Sequence, residues 1–154
     1  DIIEASKLLD EDKYNFIYFD LTRQGFFPKN FSCIETIARQ NSLCDVYAIA
    51  DIFVAPDYVS AWNCCAGEAM ACGKPVIASM KGSEDFGIDG ETCLFFQEGT
   101  EESPKILSEK IEFMANNKEL MKKISENGRQ NIRNFTWGNV ARRIISMAKD
   151  NGVE

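Results

Sequence analysis

The sequence predicts an α/β fold with a mainly parallel sheet, closed by C-terminal helices, and two observations carry that prediction. The stretch Asp51–Ser79 reads as a short apolar strand (Asp51–Ala55), a turn opened by Pro56 and Asp57, a small-residue helix carrying Glu68, and a second buried strand (Pro75–Ser79). A helix set between two short β-branched runs is the signature of a βαβ unit, whose strands are parallel. From Glu101 onward the apolar residues recur only at helical spacing, so the chain closes in helices.

The remaining elements follow in order. Ile2–Leu9 carries one apolar helical face, Phe16–Phe19 is a buried strand, Asp20–Asn30 is rich in turn formers, and Phe31–Ala38 alternates weakly as a strand. Asn41 or Ser42 caps a helix reaching Ala50, with Leu43, Val46, Tyr47 and Ile49 apolar. After Ser79, Gly82 and Ser83 mark a loop, Glu84–Ile88 makes one helical turn, Asp89-Gly90 is a turn and Cys93–Phe96 a strand. Pro104 opens a helix with Ile106, Leu107, Ile111, Phe113 and Met114 on its apolar face. A second helix starts at Lys118 with Leu120, Met121 and Ile124 apolar, and Gly128 softens or divides it. Thr136 caps the last helix, where Val140, Ile144, Ile145 and Met147 form a stripe. Charged residues between these stripes are solvated faces.

Composition narrows the function classes. At 154 residues, 45% hydrophobic and 27% charged, the chain is expected to be one globular domain. Its 24 acidic and 17 basic residues give a net charge of −7, which argues against a nucleic-acid binder or a polybasic membrane anchor. No apolar run approaches the roughly 20 residues a membrane helix needs, and no basic segment precedes an apolar one at the start, so a cytoplasmic protein is expected. Six cysteines are present; Cys44, Cys64, Cys65 and Cys72 sit in apolar or small-residue contexts and read as free, buried thiols. There is no histidine, which removes Ser-His and Cys-His catalysis, and the cysteine spacing does not fit zinc.

A βαβ unit places ligands beyond the carboxyl ends of its strands, which puts the loop Asp57–Cys65 where a ligand would sit. The small residues around the helix start at Ala61–Gly67 let a ligand approach, and the first-turn amides favour an anion such as phosphate. The same residues would serve equally to pack the helix tightly on the sheet. Glu68 lies among Ala66, Gly67, Ala69 and Met70 and is expected to be partly shielded from water. Either a salt bridge or cap satisfies it, or it accepts hydrogen bonds from hydroxyls such as a ribose diol. No cation shares its face, which favours the ligand.

The motif Pro56-x11-Glu68-Ala-Met-Ala-Cys-Gly-Lys-Pro-Val-Ile-Ala, followed by Gly82, Asp89-Gly90-Glu91-Thr92 and Phe135-Thr136-Trp137, resembles the C-terminal domain of group 1 (family 4) glycosyltransferases, retaining enzymes of the GT-B fold. The resemblance implies that residues 1–154 are a single Rossmann-like, three-layer domain, the C-terminal half of a GT-B enzyme without its first strand. It implies a nucleotide-diphosphate sugar donor as substrate, no metal or other cofactor, and a glycan or lipid-linked acceptor bound by an N-terminal domain. Peripheral membrane association of the full-length protein is compatible with it, as is a role in polysaccharide biosynthesis.

In the family's Glu-x7-Glu motif the second glutamate binds the ribose, and that role falls on Glu68. The first glutamate position holds Ser60, so no catalytic residue is assigned. The Gly-Phe-Gly-like stretch facing sugar and diphosphate becomes Ala61-Trp62-Asn63, and Cys64 and Cys65 complete the implied donor-binding set. The cations that hold the diphosphate in the family fall upstream of Asp1, and Lys7 is a poor substitute. The loops after Phe19 and around Phe31–Ala38 are expected near the base. A non-catalytic binding or scaffold domain with a degenerate donor site is the alternative.

Overall fold

The computed structural model describes residues 1–18, 31–33 and 43–152. Its strands are β1 (Phe16–Tyr18), β2 (Phe31–Cys33), β3 (Phe53–Ala55), β4 (Val76–Ser79) and β5 (Leu94–Phe96). Its helices are α1 (Ile2–Ser6), α2 (Leu43–Ile49), α3 (Cys64–Ala71), α4 (Ser103–Ala115), α5 (Lys118–Ile132) and α6 (Trp137–Asp150). Among the described residues all pairing between strands is parallel: β1 with β2, and β3-β4-β5 in that order.

β4 is the middle strand and all four of its residues are buried, as a strand covered on both faces requires. Its alternation sorts the core into two layers. Val76 and Ala78 pack with Ala66, Ala69 and Met70 of α3 and with Phe86 and Cys93. Ile77 faces the other way, with Leu107, Ile111 and Met114 of α4, Ile124 of α5, and Ala5 of α1. The three-layer arrangement follows.

α5 crosses close to the loop before β5. A Cβ at Gly128 would lie 2.8 Å from the Thr92 carbonyl oxygen, so glycine is what lets the helix pass; it neither divides nor bends α5 out of its run to Ile132. Two further expectations differ. The first helix ends at Ser6, with turns beyond it. The single helical turn expected at 84–88 lies one residue earlier, at 83–87, where the Ser83 carbonyl accepts from the Phe86 and Gly87 amides. The expected loop 20–30, the capping residues Asn41 and Ser42, and the strand beyond Cys33 lie outside the described residues.

Between β1 and β3 lies a hollow of about 1280 Å³, lined by Tyr14, Phe16, Val54, Ile111 and Met121 and extending to Asp57 and Cys65. α6 is capped by Thr136, whose hydroxyl accepts from the Asn139 amide at 3.3 Å, yet it has no buried residue. Its stripe is exposed, Ile144 at 61% and Met147 at 57%. Among the described residues no helix is long and apolar enough to cross a membrane.

Candidate functional site

The loops that follow β3 and β4 lie side by side because their strands are neighbours. The Ser79 hydroxyl donates to the Asp57 carbonyl at 2.7 Å, and the Asn63 amide donates to the Gly82 carbonyl at 2.7 Å. Gly82 has φ +77°, and a Cβ there would lie 2.6 Å from the Ser60 carbonyl oxygen and 2.9 Å from Ser60 Cβ. Ser60 is therefore seated against Gly82 and half-buried. Trp62, Phe86 and Phe135 form a triangle of rings, with centroids 4.8 Å (Trp62–Phe86), 5.5 Å (Trp62–Phe135) and 6.2 Å (Phe86–Phe135) apart, and Trp62 is 37% exposed. Tyr58 lies against Gly99.

α3 starts at Cys64, later than the Ala61 expected, because Asn63 caps it: its Oδ1 accepts from the Ala66 amide at 3.0 Å. The Cys64 amide donates to the Trp62 carbonyl, so two first-turn amides are already engaged. Asn63 is fully buried, and its Nδ2 has no hydrogen-bond partner among the described residues; the same holds for the hydroxyl of buried Ser83. Of the expected donor set, Ala61, Cys64 and Cys65 are exposed, and the side chains of Trp62 and Asn63 are built into the loop.

Glu68 is exposed, where partial shielding was expected. It projects from the face of α3 opposite the buried Ala66, Ala69 and Met70, since small neighbours in sequence do not shield the outer side of a helix. One carboxylate oxygen is nonetheless held: the Tyr47 hydroxyl donates to Oε2 at 2.7 Å. Tyr47 is 2% exposed, packed edge-on against Phe53 at 5.1 Å. Burial, then the hydrogen bond to Glu68, raises its pKa well beyond the ordinary phenol range, so it stays a donor across the physiological range. Tyr47 was read only as part of an apolar stripe. A tyrosine carried into a core needs a partner for its hydroxyl, and that was the available signal.

The five cysteines whose side chains are described are free but differently placed from the expectation. Cys44, Cys64 and Cys65 are exposed, Cys72 is half-buried and Cys93 is buried. Partial desolvation raises the Cys65 thiol, and burial pushes Cys93 up to about 12. Among the described residues no group of three or more cysteines and carboxylates is placed to hold a metal.

A parallel three-layer α/β domain with paired loops and an oriented carboxylate at the ends of its central strands defines the class of ligand-binding domains whose site lies beyond the strand ends. The family model of glycosyl transferases group 1 matches residues 29–131, and the chain belongs to that family. An uncharacterized glycosyltransferase, MJ1178 of Methanocaldococcus jannaschii, is 33% identical over 118 residues, covering 74% of this chain and 33% of that protein. The chain spans about a third or less of the length of the curated relatives it matches. The fold is that of GT-B glycosyltransferases. A glycosyltransferase from Rickettsia africae superposes with a TM-score of 0.78 at 18% identity, covering 97% of this chain and 43% of that one. HepE of Anabaena, solved in complex with UDP-glucose, superposes with a TM-score of 0.66 at 16% identity, covering 80% and 33%.

Proposed function

We propose that this chain is the donor-binding domain of a retaining glycosyltransferase, the C-terminal half of a GT-B enzyme, and that Glu68 accepts the ribose hydroxyls of a nucleotide-diphosphate sugar. The observation that carries the reading is an exposed glutamate at the family's ribose position, held through one oxygen by Tyr47 with the rest of the carboxylate open to solvent. A diol donates two hydrogen bonds, and a carboxylate has the acceptor capacity to take both while keeping the Tyr47 bond. The UDP-glucose bound by the Anabaena relative supports a nucleotide-sugar ligand of this kind.

The sugar and diphosphate then lie along Ser60–Cys65. The leaving diphosphate is stabilised by the first-turn amide left over, that of Cys65, and by cations from another part of the protein, with no metal required. The acceptor, a glycan or lipid-linked sugar, binds an N-terminal domain, and the enzyme works in the cytoplasm. The alternative is a non-catalytic scaffold, favoured by one observation: an uncharged Ser60 seated against Gly82 in the place of the family's first glutamate.

The test is to incubate the full-length protein with UDP- and GDP-sugars and a panel of glycan and lipid-linked acceptors, and to read the product anomer by NMR. Transfer with retention supports the enzyme. Donor binding without transfer or hydrolysis across the panel establishes the scaffold.

A further inference from the structure

Three loops leave the carboxyl ends of β3, β4 and β5, and the third carries a carboxylate that the donor-site reading does not use. The Glu98 side chain, just past β5, is only 5% exposed. Among the described residues no hydrogen bond reaches it; Lys81 Nζ, on the loop after β4, stands 3.7 Å away as an ion pair, beyond hydrogen-bond distance. A carboxylate taken this far out of water without a hydrogen bond is costly, and its acceptor capacity is unused. Lys81 is 69% exposed, so its ammonium keeps donors open to solvent.

The loop after β3 reaches the same place. Gly99 follows Glu98 at φ +76°, and a Cβ there would lie 2.6 Å from the Tyr58 hydroxyl oxygen, so the tyrosine ring lies against bare backbone. The Gly99 amide donates to Asp1 Oδ2 at 3.1 Å, which anchors the same loop. Tyr58 is 61% exposed and leaves ring surface open to solvent. Lys81 adjoins Gly82, against which Ser60 is seated, so the group borders the stretch where the donor-site reading puts the transferred sugar.

We propose that Tyr58, Lys81 and Glu98 form a saccharide subsite at the rim of the donor site, taking one pyranose ring through the face of Tyr58 and two neighbouring hydroxyls. A sugar hydroxyl both donates and accepts. Glu98, an acceptor only, takes the proton of one hydroxyl and gains the hydrogen bond it lacks; Lys81, a donor only, gives to the oxygen of the next. The apolar C–H face of the ring covers the exposed tyrosine, the combination of aromatic surface and a few convergent polar groups that small-ligand sites use. An anion placed here meets Glu98 and a cation meets Lys81, whereas a neutral polyol suits both. The ring is the donor's own sugar or one of the acceptor's, since the hydroxyl chemistry is the same. Assigning it to the donor rests on the donor-site reading; the affinity for a sugar does not.

The test is saturation-transfer NMR and calorimetry on the full-length protein, comparing wild type with Tyr58→Ala, Lys81→Gln and Glu98→Gln. The probes are UDP-glucose, GDP-mannose, UDP, GDP and the methyl glycosides of glucose, galactose and mannose. In the wild type, saturation should reach the pyranose protons of at least one sugar probe. Each variant should weaken that probe about tenfold, the scale of a lost hydrogen bond to a charged group. Affinity for UDP or GDP alone should stay within about twofold, as for a separate site. Thermal melting checks that the variants fold, and the exposed Lys81 decides the matter if Glu98→Gln does not. An effect on nucleotide sugars alone assigns the subsite to the donor, and an effect on free glycosides assigns it to the acceptor. Glycosides that respond while no nucleotide sugar binds would uphold the subsite and remove the donor-site reading. Equal weakening of nucleotide and nucleotide sugar, unchanged sugar affinity in Lys81→Gln, or no saturation of any pyranose would overturn the proposal.

Discussion

The two ends of the α3 region are built to opposite standards. The loop leading into the helix is fixed at four points: Ser79 on Asp57, Ser60 on Gly82, Trp62 against Phe86 and Phe135, and Asn63 on the helix it caps. One turn further on, Glu68 is exposed and held by a single hydrogen bond from Tyr47. Rigid contact around a loop fixes its backbone; an exposed carboxylate held through one oxygen keeps acceptor capacity for something else. Loop side chains should therefore govern stability, and Glu68 should govern ligand affinity with little effect on stability.

The largest expected effect breaks the rigid end. Gly82→Val puts a branched side chain into the Ser60 backbone at a positive φ, and should cost about 3 kcal/mol in denaturant unfolding. Trp62→Ala removes a half-buried ring from its aromatic neighbours and should cost about 2 kcal/mol by the same measurement. Tyr47→Phe joins the two ends. It deletes one hydrogen bond while keeping the ring, so thermal melting should report a loss of about 1 kcal/mol. Nucleotide-sugar affinity should fall with it.

The effect smallest at neutral pH, and visible only in alkali, is a pH dependence inside the core. The Cys93 thiol is raised from 9.0 to about 12 by burial, so the folded state favours its protonated form. The stability this contributes is full below pH about 9 and is lost as pH rises toward 12. Tyr47 contributes with the same sign above its ordinary value of 10.0. The wild type should lose stability steadily through that alkaline window in urea titrations, and Cys93→Ala should lose it less steeply.

What the sequence disclosed depends on whether the governing contact is local. The βαβ unit was legible because β3, α3 and β4 are contiguous and each carries its own period, and Thr136 announced α6 by capping chemistry alone. Gly128 was noticed as a break in helical pattern, but its reason, the Thr92 carbonyl beside α5, is a contact between distant segments. Trp62 was assigned to a ligand-facing stretch by resemblance, and its contact with Phe135 was not foreseen because that residue belongs to a distant part of the chain. Exposure of the cysteines was misread because an apolar neighbourhood in sequence does not say which side of a helix meets the sheet. Glu68 itself was singled out by its small-residue neighbours and by the family resemblance, and its partner Tyr47 was not, since a tyrosine on an apolar stripe does not reveal where its hydroxyl ends.

The most direct test of the central claim is calorimetric titration of the full-length protein and its Glu68→Ala variant with UDP- and GDP-sugars. Loss of a charged acceptor for two ribose hydroxyls should weaken binding by about 1–3 kcal/mol, while unfolding stability shifts by less than about 0.5 kcal/mol, as for a surface substitution. Equal affinity of the two proteins for the donor that binds, or a wild type that binds none of them, would contradict the assignment of Glu68 to a nucleotide-sugar site.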